Sequence, residues 1–316
     1  MIPALESAGS GVNVRLQRHI GADVTYNDPV RAGSWQPDAM RRLKRLTAIF
    51  VLSLTFACGG SGGSGPPLGA PSHAIYGIDS ANTLVVFHAT RPDLVTRSVP
   101  VTGLQSGERI AGLDFRPIDG RLYALGTSSR AYVLDTLTGV ATAVGSGPFT
   151  PALRGEAFGF DFDPVSDRIR AVSDSDQNLR LDPVTGAVTG ADAALAYATG
   201  DPNAGTDPTT AGAAYTNSIA GATTTTLYAI DAGLGVLVTL SDPSGGELAT
   251  VGSLGASTSS LVGFDIAGAT GIAYATLTPS AATASRFYSV NLATGGVTLA
   301  GTVGHAVPLV GIAVQP

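Results

Sequence analysis

An all-β chain closed as a five-bladed β-propeller is expected here on three observations. A four-strand pattern recurs after about residue 70, no sustained helical period interrupts it, and the two ends of the repeating region complete each other. One copy of the pattern reads Phe158-Gly-Phe-Asp-Phe162, then Arg168-Ile-Arg-Ala-Val172, then Asn178-Leu-Arg-Leu-Asp182, and turns through Thr185-Gly186. Short runs rich in β-branched and aromatic residues, bounded by Gly, Asp, Pro and Thr, have the spacing of strands and turns.

The inner strands align as Gly112-Leu-Asp-Phe115, Gly159-Phe-Asp-Phe162, Ala213-Ala-Tyr-Thr216, Gly263-Phe-Asp-Ile266 and Gly311-Ile-Ala-Val314. Second strands follow at Arg121-Leu-Tyr-Ala124, Arg168-Ile-Arg-Ala171, Thr226-Leu-Tyr-Ala229 and Ile272-Ala-Tyr-Ala275. Third strands are placed at 130–134, 178–181, 234–238 and 286–290, and turns such as Thr138-Gly139, Thr185-Gly186 and Thr294-Gly295 lead to short fourth strands. Residues 74–102 make a blade lacking its inner strand, whereas 309–314 form an inner strand with no blade to follow. Joining them closes the ring and removes two exposed edges. A sixth blade would have to come from 187–211, which lacks strand patterning.

The region before residue 73 reads differently. Arg41-Arg-Leu-Lys-Arg45 precedes an apolar stretch from Leu46 to Ala57, followed by Cys58 and a Gly/Ser-rich run. A basic segment followed by about 12 apolar residues is a signal peptide rather than a membrane span. Such a leader belongs at an N-terminus, so Met40 is expected to be the true start and 1–39 to fall outside the native protein, the alternative being that 1–39 is a cytoplasmic tail. The expected organisation is a signal peptide over 40–57, a lipidated Cys58 with a flexible linker over 58–72, and one propeller domain over 73–316. The residues before Cys58, Thr55-Phe56-Ala57, depart from the usual lipoprotein box, which leaves plain secretion as the alternative to a lipid anchor. Location at the outer membrane or in the periplasm follows in the first case.

Beyond Cys58 the chain has 11 Arg, no Lys and 20 Asp plus Glu, a balance of −9 (11 − 20). Such a surface repels phosphate backbones, so nucleic acid is not an expected partner. No disulfide can form within the domain, and roughly 245 residues suffice for core burial alone to hold it, as an expected monomer.

Candidate sites are few. Asp114, Asp161 and Asp265 occupy equivalent mid-strand positions, with Tyr215 and Ala313 in their place in the remaining repeats. They could bind a cation around a channel, but a structural ion-pair network with Arg168, Arg170 and Arg180, or with backbone N–H groups, is the stronger expectation. Asp174-Ser-Asp176-Gln-Asn178 has the D-x-D-x-N spacing of a calcium loop. Leu179 and Thr185 then stand where such a loop needs Gly and Glu, so calcium is a weak expectation and a polar turn the plainer one. Propeller connectivity puts loops between second and third strands on the same face as loops between blades. Arg154, Asp174, Asp176, Asn178 and Tyr197 are therefore expected to share one face, the expected ligand site. Gly59-Gly-Ser-Gly-Gly63 matches a nucleophile-elbow pattern without its strand-turn-helix context. His73, His88 and His305 lack metal-ligand spacing, and no catalytic residue is expected.

The motifs Gly112-Leu-Asp-Phe-Arg-Pro117, Gly120-Arg-Leu-Tyr-Ala124, Phe158-Gly-Phe-Asp-Phe162, Asp167-Arg-Ile-Arg170, Gln177-Asn-Leu-Arg-Leu181, Ala214-Tyr-Thr-Asn217 and Gly263-Phe-Asp-Ile266, taken together, resemble the bacterial secreted domain-of-unknown-function family 4394 across 73–316. The resemblance implies a propeller-like exported domain and carries no chemistry. The expected function is thus a non-catalytic binding or interaction module of the cell envelope. The alternative is a periplasmic hydrolase or lyase with a site on one propeller face, either calcium-dependent or ion-free.

Overall fold

The computed structural model describes residues 72–316, and the leader, Cys58 and linker expected from the sequence lie outside them. Strands are the only regular elements there, in five sheets. Among the described residues no helix is long and apolar enough to cross a membrane.

Each sheet is an antiparallel blade. Blade 1 combines β1 (Ala74–Asp79), β2 (Thr83–His88) and β3 (Arg91–Pro100) with β21 (Leu309–Val314), in the order β21-β1-β2-β3. Ile75 lies opposite Val314 and Gly77 opposite Ile312, so the last strand completes the first sheet as expected. Blade 2 is β4 (Ile110–Phe115), β5 (Leu122–Gly126), β6 (Arg130–Leu134) and β7 (Ala141–Val144). Blade 3 is β8 (Phe158–Asp163), β9 (Arg168–Ser173), β10 (Asn178–Leu181) and β11 (Val188–Ala191). Blade 5 is β17 (Val262–Ile266), β18 (Ala273–Leu277), β19 (Arg286–Val290) and β20 (Val297–Thr302).

Blade 4 departs from the expected pattern. It has β13 (Thr210–Tyr215), β14 (Leu227–Asp231), β15 (Val236–Leu240) and β16 (Glu247–Ser253), and then a fifth strand, β12 (Ala196–Tyr197), parallel to β16 on the outer edge. The segment 187–211, unpatterned in sequence, therefore supplies the fourth strand of blade 3 and a strap along the edge of blade 4.

The core lies between blades. Tyr76, Leu84, Leu113 and Tyr132 fill the seam of blades 1 and 2, and Tyr123, Leu125, Phe160 and Phe162 that of blades 2 and 3. Phe87, Tyr274 and Phe287 fill the closing seam, with Phe87 edge-on to Phe287 at 5.2 Å and Tyr274 stacked on it at 5.3 Å. Blade faces bury apolar side chains on both sides, which explains the nearly continuous burial of β5, β13 and β18.

A second set of contacts links the blades at the rim. The end of each outer strand meets the third-to-fourth-strand turn of the next blade. Thr102 donates its N–H to Gly139 O and accepts from Ala141 N, and Gly304 N donates to Pro92 O. Gly139 has φ of 74°, and a Cβ there would lie 2.4 Å from Pro100 O, so this turn needs glycine for both its backbone and its contact. Asp135 organises that turn by accepting from Leu137 N and Thr138 N.

Candidate functional site

The axis of the ring is closed. Inner strands approach so tightly that a Cβ on Gly112 would lie 2.6 Å from Phe160 Cβ, and one on Gly159 2.5 Å from Ala213 Cβ. Glycines 112, 159, 212, 263 and 311 line the resulting constriction, which leaves a cavity of about 10 Å³. This glycine register corrects the alignment of the fourth repeat. Gly212 is the equivalent of Gly159, so Ala214, and not Tyr215, stands in the aspartate position.

Asp114, Asp161 and Asp265 are buried at the axis, with carboxylate oxygens within 4.8 Å of one another. Each accepts from the inner strand of the next blade: Asp114 Oδ2 from Phe162 N at 2.9 Å, Asp161 Oδ1 from Tyr215 N at 3.2 Å, and Asp265 Oδ2 from Val314 N at 2.5 Å. Asp114 and Asp265 also accept from the residue that follows each of them, Phe115 and Ile266. Among the described residues the three carboxyls make no ion pair with an arginine, so the expected network with Arg168, Arg170 and Arg180 divides in two. Burial and mutual repulsion push Asp114 and Asp161 well up, and burial pushes Asp265 up to about 6.

The arginine half of that network lies off the axis in blade 3. Arg170 is 3 % exposed and donates through Nη1 to Asp192 Oδ2 and to Asn178 Oδ1, both at 2.6 Å, and through Nε to the Tyr215 hydroxyl. Arg180 forks onto both Asp192 oxygens at 2.8 Å. Burial alone would raise Asp192, but the two guanidinium groups hold it below the usual carboxylate range. Arg168 reaches Asp182 at 3.6 Å near the surface.

The expected ligand face is partly assembled. Arg154 N donates to Gln177 Oε1 and Glu156 N to Asp174 Oδ1, which ties the loop between blades 2 and 3 to the turn between β9 and β10. Arg154, Asp176 and Asn178 line one open cleft of about 450 Å³ on the flank of blade 3, floored by Ala152, Leu179 and Ala191. Asp174 stays outside the lining and serves as a turn acceptor. Tyr197 does not join the cleft. Pairing of β12 with β16 turns its hydroxyl inward to Asp231 Oδ2 at 2.6 Å, and burial with that hydrogen bond raises it. Asn178 Oδ1 faces the Arg170 guanidinium, and its amide donates to Ala193 O and Pro243 O. Asp174, Asp176 and Asn178 therefore do not converge on a common point.

One lining group is uncommitted: the Arg154 guanidinium makes no ion pair among the described residues. Asp176 Oδ1 is buried away from the cleft without a donor, and the Asp176 carboxyl pairs with that of Asp207. Burial, the charge and side-chain hydrogen bond of Asp207, and the neighbouring Asp174 push Asp176 up to about 6. Asp176 sits at φ 57°, held by its N–H on Ser173 O and its carbonyl on Leu195 N. Asp192 and Asp207 were missed in sequence, because both fall in the stretch past β10 that carries no repeat pattern. Buried Glu108 was also missed. Burial raises it, but the Ser128 and Tyr132 hydroxyls more than offset that and leave it lowered. His73 and His305 do not meet. His73 binds the Tyr274 hydroxyl, and His305 binds Asp79 at the opposite end of β1.

The ring, its closed axis and its rim cleft define a β-propeller domain. The chain belongs to the family described as Domain of unknown function (DUF4394), whose profile matches residues 83–313. A comparison with curated proteins gave no match. Among solved structures, the chain is similar to the nidogen/laminin complex at 11 % identity and a TM-score of 0.28, covering 75 % of this chain and 64 % of that one. It thus spans somewhat under two thirds of that relative's length. It is also similar to a putative 6-phosphogluconolactonase from Bacteroides uniformis at 14 % identity and a TM-score of 0.37, covering 74 % and 83 %.

Proposed function

We propose that this chain is an exported, lipid-anchored propeller of the cell envelope that acts as a non-catalytic binding module, with its ligand taken in the blade 3 cleft. The basic and apolar segments before Cys58 support export and anchoring, and the Gly/Ser-rich run after it supports a tether. The observation that carries the binding role is the exposed Arg154 guanidinium, without an ion pair among the described residues, on an open cleft of about 450 Å³ whose Gln177, Asn178 and Asp192 are already hydrogen-bonded. The constriction on the axis is closed, and the pocket at its mouth, about 230 Å³, is smaller than the cleft at the rim.

One observation favours the alternative of a hydrolase or lyase: the raised Asp176 beside Asp207 is suited to hold a proton near neutral pH. Co-purification from envelope extract tests the two readings. A bound molecule recovered unchanged, and lost with Arg154→Gln, supports the binding module, whereas turnover abolished by Asp176→Asn supports the enzyme. Unchanged membrane fractionation of Cys58→Ser would reject the anchor.

A further inference from the structure

We infer that Asp114, Asp161 and Asp265 share one calcium ion on the axis of the ring. This site is separate from the blade 3 cleft and does not depend on it.

The axis is one hydrogen-bond donor short. On each inner strand the residue after the aspartate position turns its backbone N–H to a carboxyl: Phe115, Phe162, Tyr215, Ile266 and Val314. Asp114 takes two of them, Phe115 N at 2.7 Å and Phe162 N at 2.9 Å. Asp265 takes two more, Ile266 N and Val314 N, both at 2.5 Å. Asp161 has only Tyr215 N, through Oδ1 at 3.2 Å. Its Oδ2 accepts no hydrogen bond among the described residues, although Asp161 is 1 % exposed. Blade order is the cause. Asp114 and Asp265 come after blades with Ala313 and Ala214 in the equivalent place, so each keeps the N–H of its own following residue. Asp161 comes after Asp114, which already holds Phe162 N.

A buried carboxylate oxygen without a donor is costly, and buried charges are paired or bind a metal. Five of the six oxygens accept N–H groups, an arrangement that favours ionised carboxylates. The N–H groups supply dipoles but no net charge, and no arginine among the described residues pairs with the cluster. A cation supplies what is missing. Three carboxylates, with neither His nor Cys among them, make an all-oxygen set suited to a hard divalent ion. Their oxygens lie within 4.8 Å of one another, and half that span, about 2.4 Å, is a calcium–oxygen distance. Carboxyls at three of five ring positions form an irregular shell. Calcium accepts such a shell, whereas magnesium demands a near-ideal octahedron.

The test refolds the full purified chain from urea in EDTA, or in calcium, magnesium or sodium chloride of equal ionic strength, at neutral pH. Refolding gives the ion access to the axis whatever its route in the finished ring. Bound metal after equilibrium dialysis and Tm are the readouts. The parent should bind one calcium per chain and melt higher than in EDTA, with no such rise in sodium chloride. Asp161→Asn keeps an acceptor for Tyr215 N but should weaken calcium binding by about tenfold or more and lose the rise. In EDTA the same variant should melt above the parent, because only the ion-free parent suffers the full repulsion of three carboxylates. Calcium should therefore narrow or reverse the order of the two chains, which a purely structural aspartate would not do. Asp265→Asn gives the same comparison if Asp161→Asn does not fold, and Asp176→Asn should bind calcium as the parent does. A parent that binds no calcium, or binds magnesium in its place, overturns the inference. So does calcium binding that survives both axial substitutions or is lost with Asp176→Asn.

Discussion

Replacing Asp161 by Asn should make the protein more stable at pH 8 than at pH 4, relative to the parent chain. The three axial carboxyls have oxygens within 4.8 Å of one another. Coulomb's law at that separation, with an effective dielectric of about 20, gives about 3 kcal/mol of repulsion per ionised pair. A carboxyl moved from 3.8 to about 6, as Asp265 is, carries a native-state ionisation cost of about the same size, about 3 kcal/mol. An unfolded chain loses these protons near pH 4, whereas the folded chain keeps them to higher pH, Asp265 to about 6. Between those values the native state binds more protons, so stability falls as pH rises and the loss is complete above the folded pKa. Asp161 accepts only one N–H, from Tyr215, through Oδ1, so an amide can keep that bond and offer its NH₂ to the neighbouring carboxyls. The variant should gain about 2–3 kcal/mol on the parent between pH 4 and pH 8, or about 5–10 °C in Tm for a domain of this size. Thermal melting across pH 4–9 measures it. A constant offset between the two curves at every pH would refute the argument.

Gly112→Ala brings a Cβ to 2.6 Å from Phe160 Cβ and should cost about 1–3 kcal/mol, read from the urea midpoint. Arg170→Met strips a buried guanidinium from Asp192 and Asn178 and should cost about 3 kcal/mol by the same measurement, with Arg180 retaining part of the pairing. Deletion of 309–316 exposes the β1 edge and should yield aggregate rather than monomer on size exclusion. Asp176→Asn should leave any effect of a chelator on Tm unchanged, because Asn178 faces a guanidinium and leaves the Asp174 turn without an ion-binding set.

The ring was legible because its determinants are local and repeated. Each inner strand places a glycine two residues before the aspartate position, and each blade ends in a turn that only a few residue types can make. The fourth repeat slipped by one residue because Thr210-Ala-Gly-Ala-Ala-Tyr215 has no aspartate to anchor the alignment; the glycine was the better guide, since close backbone approach permits nothing else. The strap Ala196–Tyr197 was illegible for a different reason. Two residues cannot show a period, and the strap's strand state comes from β16 rather than from its own sequence. For the site, connectivity brought Arg154 to Asp176 and Asn178, but not Tyr197, whose partner Asp231 is 34 residues away in sequence. The partners of the charged residues were likewise hidden, because Asp192 and Asp207 lie outside the repeats.

Closure of the axis and the position of the cleft have one cause. Five blades packed through glycine leave about 10 Å³ at the centre, so the inner strands spend their polar side chains on backbone N–H groups of the next blade. Variation at the glycines of the constriction is thereby excluded, because an added Cβ there meets a neighbouring strand. At the rim the constraint relaxes. The loop before blade 3 is tied by Gln177 and Asp174 through backbone N–H groups, which leaves the Arg154 side chain free, while Leu195 N holds the Asp176 carbonyl and the Asp176 carboxyl pairs with Asp207. Backbone atoms fix this loop. Substitution at Arg154 can therefore alter the cleft without disturbing the ring, whereas substitution at the glycines of the constriction cannot.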